Sequence, residues 1–421
     1  MKKVNLAKNT MLLSFCTFIN KGLMFVMVPF FSRWLSTEDY GTFDVFSTYV
    51  SLLIPIITLA CSNAVFRLSV DKESKSDKSI YISNGLLIVL SNLLIAFILL
   101  FLWKCFAGFD YFVAFTILLV AEVLDNYFQG FLRAIKRLEL YAISKSVGTV
   151  ITALAVTLFV RVLDGGLQGI LYGYAVGFIL TDVAIILITN YKSYFNPKKF
   201  SQNGIRELVS YSLPLIPNDV SWWIINVSDR TIINFFLGAA SNGIYAIAYK
   251  VPNICSSVFS MFSISWQEAA TDMVNESDRN AYYQSVFSKM LNVLLTLCTG
   301  ILACNFILFG WVFDAKYYEA RLYAPILVSA IIFSSLSQFF GGIQISLKRP
   351  KENGVSTVIG AITNLLVHFL LINIIGLYAA AISTLASNVV VMLIRQFKLK
   401  DTFNLNYSRG CAIAAKNPRS Y

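Results

Sequence analysis

The sequence has few charged residues. Asp, Glu, Lys and Arg make up 14% of its 421 residues, whereas soluble globular domains carry about 25%. Hydrophobic residues make up 57%, and the mean hydropathy is +0.67. A chain of this size with so little polar surface cannot cover a water-soluble core. The composition therefore excludes a soluble enzyme and a receptor with a single membrane anchor, and it indicates a polytopic membrane protein.

The sequence also lacks the common signatures of catalysis and metal binding. It contains one histidine, and its seven cysteines form no Cys-x-x-Cys pair, so neither a disulfide framework nor a metal site is indicated. It has no Gly-x-x-x-x-Gly-Lys-Ser/Thr motif, which would bind ATP through a P-loop. It has no Asp-x-Asp pair of the kind that holds the metal in many sugar-nucleotide transferases. We therefore predict that the chain is not an enzyme and that it uses no cofactor and no metal.

Long apolar runs separated by short polar connections predict membrane-spanning helices of about 20 residues each. The predicted spans cover residues 10–31, 43–66, 80–103, 111–132, 146–163, 167–190, 208–237, 243–266, 286–310, 323–346, 354–375 and 376–397. The connections are too short to hold a further domain. The sequence therefore predicts an all-α polytopic membrane protein with about twelve transmembrane helices.

Positive charge lies unevenly about these spans. Most of the 34 Lys and Arg residues fall in the terminal segments and in every second connection. Because Lys and Arg accumulate in cytoplasmic loops, this asymmetry predicts that the N- and C-termini are both cytoplasmic. The formal net charge of +11 is then a sign of topology, and nucleic acid is not an expected partner.

The second half of the sequence repeats the first. The matches pair Leu35 with Leu237, Ser146 with Gly354, Gly165 with Ile375, and Lys136-Arg137 with Lys348-Arg349. Each matched pair is separated by six predicted spans. Because six is an even number, the two halves have the same orientation in the membrane and are related by an axis along its normal.

Two segments of the chain resemble a known family. The segment LSTEDYGTFDVFSTYVSLL, from Leu35, and the segment VSDRTIINFFLGAASNGIYAIAYKVPNICSSVFSMFSISWQEAA, from Val227 to Ala270, resemble helices of Wzx-type polysaccharide flippases. Those proteins share the MOP superfamily with MATE multidrug exporters and lipid II flippases. The resemblance implies a MATE-like fold, with two six-helix lobes around a central cavity that opens alternately to either side. Residues 1–200 are then the N-terminal lobe, 201–400 the C-terminal lobe and 401–421 a polar cytoplasmic tail.

The resemblance also implies a function. A Wzx-type protein flips an undecaprenyl-diphosphate-linked oligosaccharide across the bacterial cytoplasmic (inner) membrane, for O-antigen, lipopolysaccharide or capsule. The partners it implies are this lipid-linked oligosaccharide, the lipid bilayer, H⁺ or Na⁺ as coupling ion, and polymerase and chain-length proteins of the same pathway. Two alternatives stay open: a cation-coupled MATE-type exporter of small molecules, and a membrane polymerase or transferase that acts on the lipid-linked glycan.

Basic residues inside the spans are candidates for substrate binding, because charge in the hydrocarbon region is costly and is usually kept for function. With two tryptophans, the candidates are Lys21, Arg230, Lys250, Trp222 and Trp223. A guanidinium or an ammonium group suits a diphosphate, and an indole suits the face of a sugar. The alternatives are structural: Arg230 in an ion pair with Asp229, and Lys250 either pairing with Asp229 or reaching the membrane interface.

Acidic residues inside the spans, with the single histidine, are candidates for ion coupling. They are Glu122, Asp125, Asp182, Asp219, Asp229 and His368. A carboxylate at this depth can accept a proton or bind Na⁺ beside backbone oxygens, and a histidine titrates near neutral pH. The alternative is again structural, because neighbouring helices usually neutralise such groups. For His368 this alternative is a hydrogen bond between helices.

Overall fold

The computed structural model describes residues 6–70, 72 and 74–400. The predicted tail, residues 401–421, lies outside the described residues. Throughout the described part the chain forms helices joined by short turns, and no strand occurs there. Ten of the described helices are long and apolar enough to cross a membrane. The predicted class is confirmed: the chain is an all-α polytopic membrane protein.

Thirteen α-helices follow one another along the described residues. They are α1 (Leu6–Trp34), α2 (Thr37–Ile57), α3 (Cys61–Val70), α4 (Lys75–Ala107), α5 (Phe112–Ala134), α6 (Leu138–Val156), α7 (Gly166–Thr189), α8 (Gln202–Ser212), α9 (Ile216–Asp272), α10 (Arg279–Ile307), α11 (Ala324–Ser346), α12 (Pro350–Ile375) and α13 (Tyr378–Leu399). A π-helical turn extends α6 (Thr157–Val162) and another extends α10 (Leu308–Val312).

The contacts divide the chain into two units, residues 1–228 and 229–421. The sequence places the boundary earlier, at residue 200. Helix α8 follows that residue but packs on α3 and α4. The Asn84 side chain on α4 accepts a hydrogen bond from the Ser201 amide (3.0 Å) and donates one to the Lys199 carbonyl (3.1 Å). These contacts hold the connection between the predicted lobes on the first unit.

Three predicted breaks between spans are confirmed by the backbone. Helix α9 breaks at Gly238 (φ 83°, ψ 169°), where the seventh predicted span ends. Asp164 (φ 50°) and Gly166 (φ 49°) separate α6 from α7, and Gly376 (φ 56°) separates α12 from α13. A φ of this sign costs glycine little, which is why glycine stands at these breaks. The count of twelve spans is compatible with the ten apolar helices and stays a prediction.

Helix α6 corrects one predicted boundary. The fifth span is predicted to begin at residue 146, whereas α6 begins at Leu138. Hydropathy falls at Glu139 and Lys145, but backbone hydrogen bonding continues through both residues because a charged side chain does not interrupt a helix. Lys145, one residue before the predicted span, therefore lies two turns inside a helix.

The internal repeat is visible in the turns before α6 and α12. Lys136 (φ 61°) and Lys348 (φ 59°) both have left-handed backbone. In the first turn the Arg137 amide donates to the Leu132 carbonyl (3.0 Å), and in the second the Arg349 amide donates to the Gln344 carbonyl (2.8 Å). Each bond joins residues five apart, which is the Schellman pattern that ends a helix. The sequence match at these two positions therefore corresponds to the same local structure in both halves.

Small residues let α6 and α7 approach closely. Gly169, Gly173 and Gly177 recur at every fourth position of α7, on the face that meets α6. A Cβ atom at Gly173 would lie 2.6 Å from the Val156 Cα, and one at Gly177 would lie 2.7 Å from the Thr152 Cα. Recurring small residues of this kind allow transmembrane helices to gain van der Waals contact along their backbones.

A buried arginine joins three helices of the second unit. The Arg395 guanidinium on α13 donates to the Ser337 carbonyl on α11 (2.8 Å), and on α12 to Ser356 Oγ (3.0 Å) and Thr357 Oγ1 (2.9 Å). A Cβ at Gly341 would lie 2.8 Å from one of its nitrogens. The guanidinium thus fills a space left by a glycine and is satisfied by neutral oxygens.

We predict that Gly173→Ala destabilises the chain by about 1–3 kcal/mol, because the added methyl group overpacks the α6–α7 contact and meets backbone that cannot yield easily. The matched control is Gly300→Ala on α10, where an added Cβ meets no atom within 4 Å. Thermal unfolding in detergent should show a lower midpoint for the first variant only. Equal midpoints for both variants would contradict the close packing.

Candidate functional site

A polar cavity of about 490 Å³ lies in the first unit. Its walls come from α2, α3 and the connection between them, from α5, α6 and α7, and from the start of α9. The polar and charged residues that line it are Ser51, Thr58, Ser62, Asn63, Glu122, Asp125, Asn126, Gln129, Arg133, Tyr141, Lys145, Asp219 and Trp223. Apolar helices would gain more from a filled core, so a charged cavity among them indicates a binding site.

An ion pair lies at the centre of this cavity wall. Lys145 Nζ on α6 is 2.9 Å from Asp125 Oδ2 on α5. The other carboxylate oxygen, Oδ1, accepts a hydrogen bond from Gln129 Nε2 (2.9 Å). The Asp125 side chain is 6% exposed and the Lys145 side chain is 40% exposed. The carboxylate is therefore fixed and buried, whereas the Lys145 side chain is partly exposed and lines the cavity.

Two further carboxylates lie close to the ion pair. Glu122 lies one turn before Asp125 on α5 and lines the same cavity. Asp182 on α7 is buried, and its Oδ1 has no hydrogen-bond partner among the described residues. Both carboxylates interact electrostatically with Asp125 and with Lys145. One ammonium group thus lies near three carboxylates.

A smaller recess of about 80 Å³ adjoins the same ion pair. Asp125, Gln129 and Lys145 line it, together with the hydroxyl groups of Ser144, Thr149, Thr152, Tyr174 and Thr181. Since a water molecule takes about 30 Å³ of liquid volume, the recess has room for about two. The ion pair therefore lies between the large cavity and this recess, and it lines both.

Two cavity residues come from α9. Trp223, a predicted sugar contact, lies in the cavity wall, and its indole Nε1 donates to the Thr48 carbonyl on α2 (2.9 Å). Asp219, one turn earlier, lines the same wall and is half-buried. The side chain of Trp222 lies outside the described residues.

Other predicted residues meet in the second unit. His368 Nδ1 on α12 lies 3.3 Å from Asp229 Oδ1 on α9, and the histidine is fully buried. The other oxygen of Asp229 accepts hydrogen bonds from Thr384 Oγ1 on α13 (2.9 Å) and from the Tyr245 hydroxyl (3.4 Å). Asp229 and His368, both predicted ion-coupling residues, thus form one buried polar cluster.

The three predicted basic residues are divided between the two units: Lys21 belongs to the first, and Arg230 and Lys250 belong to the second. Lys21 is exposed on α1 and does not line the 490 Å³ cavity. Arg230 stacks on the ring of Tyr249, with its guanidinium carbon 5.3 Å from the ring centre. Lys250 is half-buried on α9. Their role in substrate binding stays a prediction.

The cations that line the cavity are residues that the sequence analysis missed. The predicted fifth span begins one residue after Lys145, so Lys145 did not count among the basic residues inside spans. Arg133 directly follows the predicted fourth span, and it lies in the last turn of α5 with its guanidinium 4.2 Å from the centre of the Phe66 ring. A helix-ending signal lies at Lys136-Arg137 and is present in both halves of the sequence. This signal would have placed Arg133 at the end of one helix and Lys145 inside the next.

Comparisons with known proteins agree with this architecture. The family model described as "Polysaccharide biosynthesis protein" matches residues 6–266. The chain is 24% identical to the probable low-salt glycan biosynthesis flippase Agl15 of Haloferax volcanii, over 96% of this chain and 85% of that protein.

Two solved structures show the same fold. The chain is similar to the lipid II flippase MurJ in an inward closed conformation, with a TM-score of 0.74, 14% identity, and coverage of 96% of this chain and 90% of that one. It is also similar to an inward-facing multidrug resistance MATE family transporter of the MOP superfamily, with a TM-score of 0.71, 10% identity, and coverage of 96% of both chains. The predicted MATE-like fold is confirmed.

We predict that Lys145→Met lowers the stability of the chain by about 2 kcal/mol, because it leaves the Asp125 carboxylate buried without a counter-charge. The loss is below the roughly 3–5 kcal/mol typical of fully buried pairs, since Lys145 is partly exposed. The double variant Lys145→Met/Asp125→Leu should regain most of it. Thermal unfolding in detergent measures the stability of the two single variants and of the double variant. If the stability losses of the single variants add up to the loss of the double variant, the ion pair is not coupled.

Proposed function

The chain belongs to the polysaccharide biosynthesis protein family, and we propose that it flips a lipid-linked oligosaccharide across the cytoplasmic membrane. One observation carries the proposal: a cavity with both charged and aromatic residues lies among membrane-spanning helices. A glycan head group needs a polar path through about 30 Å of hydrocarbon, whereas its lipid tail can stay in the bilayer. A polar cavity among apolar helices meets both needs.

The chemistry of the cavity supports recognition of a diphosphate-linked sugar. Lys145 offers a mobile point charge and Arg133 a planar guanidinium, and both groups bind phosphate oxygens. Asn126 and Gln129 carry amides that suit sugar hydroxyls, and the Trp223 indole suits a sugar face. Lys21, Arg230, Lys250 and Trp222 are further candidates for contact with the substrate. We propose undecaprenyl diphosphate as the carrier, and an O-antigen, lipopolysaccharide or capsule repeat unit as the glycan.

Two clusters are candidates for ion coupling. The first is the carboxylate group of Glu122, Asp125 and Asp182 beside Lys145, and the second is Asp229 with His368. In each cluster a carboxylate lies near hydroxyl or amide groups, whose oxygen atoms coordinate cations in proteins. We propose that H⁺ or Na⁺ binds at one of these clusters during alternating access, with Asp219 as a further candidate.

Movement of a lipid-linked glycan makes and breaks no covalent bond, so this function requires no catalytic residue. The proposed partners are the lipid-linked oligosaccharide, the bilayer, and the polymerase and chain-length proteins that use the flipped repeat unit. The bacterial cytoplasmic membrane, with both termini in the cytoplasm, is the proposed location.

One observation favours a second candidate function. Three carboxylates line the cavity, Glu122, Asp125 and Asp219, against two cations, Arg133 and Lys145. An acidic cavity suits a cationic small molecule exchanged for H⁺ or Na⁺, as in a MATE-type exporter. Family membership favours the flippase, and transport assays with each class of substrate separate the two.

We predict that Lys145→Gln lowers the flipping rate of a fluorescent prenyl-diphosphate oligosaccharide in proteoliposomes by about tenfold, the cost of one charge-assisted hydrogen bond of about 1.5 kcal/mol. The matched control, Lys192→Gln, alters an exposed lysine in the turn after α7 and should leave the rate unchanged. Equal rates for the two variants would show that Lys145 does not contact the substrate.

The cellular assay tests the function itself. Deletion of the gene should cause the lipid-linked repeat unit to accumulate in the inner leaflet, and the wild-type chain should reverse this accumulation. Unchanged surface glycan in the deletion strain, together with efflux of cationic dyes by the wild-type chain, would contradict the flippase function and support the exporter function.

We predict that a membrane-impermeant maleimide labels Lys316→Cys but not Lys192→Cys in intact cells, when each is made in a cysteine-free background. Lys316 lies in a predicted outer connection and Lys192 in a predicted inner one, and both side chains are exposed. Labelling of Lys192→Cys alone would show the orientation opposite to the one that the Lys and Arg distribution predicts.

A further inference from the structure

Lys145, the lysine that lines the cavity of the first unit, already has an anionic partner. Lys145 lines the large cavity and the small recess, and its ammonium group is 2.9 Å from the Asp125 carboxylate. A phosphate that enters the large cavity meets the exposed part of Lys145 while Asp125 holds the other side. A lysine is a flexible donor with a four-carbon stem, whereas Asp125 is held by Gln129. Lys145 is therefore the member of the pair that can change partners.

We propose that the Asp125 carboxylate competes with the anionic group of the substrate for Lys145, and that a proton binds to the carboxylate cluster when the substrate displaces Asp125. The proposal rests on the proposed function and adds to it how binding is regulated at the same site. Asp125 acts as a built-in anion that occupies Lys145 in the empty state. When the proton leaves, Asp125 regains its charge and displaces the substrate.

The proton follows from the surroundings of Asp125. A buried carboxylate without a counter-charge is so costly that it is neutralised instead. The titratable and charged groups that face the pair are Glu122 and Arg133 on α5, Tyr141 on α6, Tyr174 and Asp182 on α7, and Asp219 on α9. Arg133 is the one cation in this set, and it stacks on Phe66. The other charged members are acidic, so they favour uptake of a proton when Lys145 turns away.

The recess supports the exchange sterically. It adjoins both members of the pair, and its hydroxyl groups can solvate the carboxyl group after Lys145 has moved. Gln129 Nε2 donates to Asp125 Oδ1 (2.9 Å), and this hydrogen bond does not involve Lys145. The position of the carboxylate is thus maintained while its partner changes.

Linkage makes the two binding events reciprocal: if the substrate promotes proton uptake, a lower pH must tighten substrate binding. The geometry determines in which direction the affinity changes with pH. Protonation removes the competitor, so the affinity for an anion rises as the pH falls. A site in which Lys145 had no internal partner would show no such dependence beyond that of the ligand itself.

The test uses farnesyl diphosphate as the probe and the full chain in nanodiscs. Isothermal titration calorimetry in buffers of different ionisation enthalpy measures both the affinity and the number of protons taken up. We expect the wild-type chain to take up more protons than Asp125→Asn, and we expect Asp125→Asn to bind about tenfold more tightly, within the range usual for coupled sites. Because the probe titrates identically with both proteins, the difference between them belongs to Asp125.

Two further variants keep the result interpretable. Asp125→Glu restores the charge and should restore proton uptake, and Lys145→Gln should bind the probe weakly. If Asp125→Asn binds no more tightly than the wild-type chain, or takes up as many protons, the competition is overturned while the flipping activity of the wild-type chain can still stand. If the wild-type chain binds no farnesyl diphosphate, both this proposal and the assignment of Lys145 to the diphosphate are overturned.

Discussion

Charge inside the hydrocarbon region must be neutralised by the protein itself, and the polar structure of both units follows from this constraint. In the first unit an ammonium group lies beside three carboxylates, two of which line one cavity. In the second unit a carboxylate meets a histidine and two hydroxyl groups, and a guanidinium meets neutral oxygens. Each charged group lies where two or three helices meet, because a lone helix cannot surround it.

The two halves share a backbone and differ in their polar chemistry. The same Schellman turn precedes α6 and α12, at positions that the sequence repeat aligns. Among α5, α6 and α7 the charges pair with each other beside a cavity, so the lysine stays accessible. Among α11, α12 and α13 the Arg395 donors are used in hydrogen bonds that hold the helices together. The two halves thus share this turn, while the polar groups beside the matching helices have different partners.

Helix packing and the polar site depend on each other. The glycines of α7 bring its backbone against α6, and Gly148 on α6 makes the same close contact with Thr181. Thr152 and Thr181, which face these glycines, also line the recess beside the ion pair. Larger residues would separate the helices and withdraw these hydroxyl groups from the recess. The small residues therefore stabilise the helix pair and shape the site at once.

The sequence by itself determined the fold class, the positions of most helix breaks and the family resemblance. Those properties depend on hydropathy and on local backbone preference, and both are determined by residues that are close together in the sequence. It also identified Asp125, Asp182, Asp229 and His368 as polar residues at membrane depth. It did not name Lys145 and Arg133 as site candidates, because each lies one residue outside a predicted span although the helix continues through it.

Only the tertiary structure decided which of these residues are partners. Asp125 and Lys145 are on different helices, and Asp229 meets His368 and Thr384 from distant parts of the chain. Lys21, the most central basic residue in its predicted span, proved to be exposed. The hydropathy of a segment gives its depth in the membrane but not the direction in which a side chain points. That direction is set by how the helices pack, and it decides which charges share a cavity.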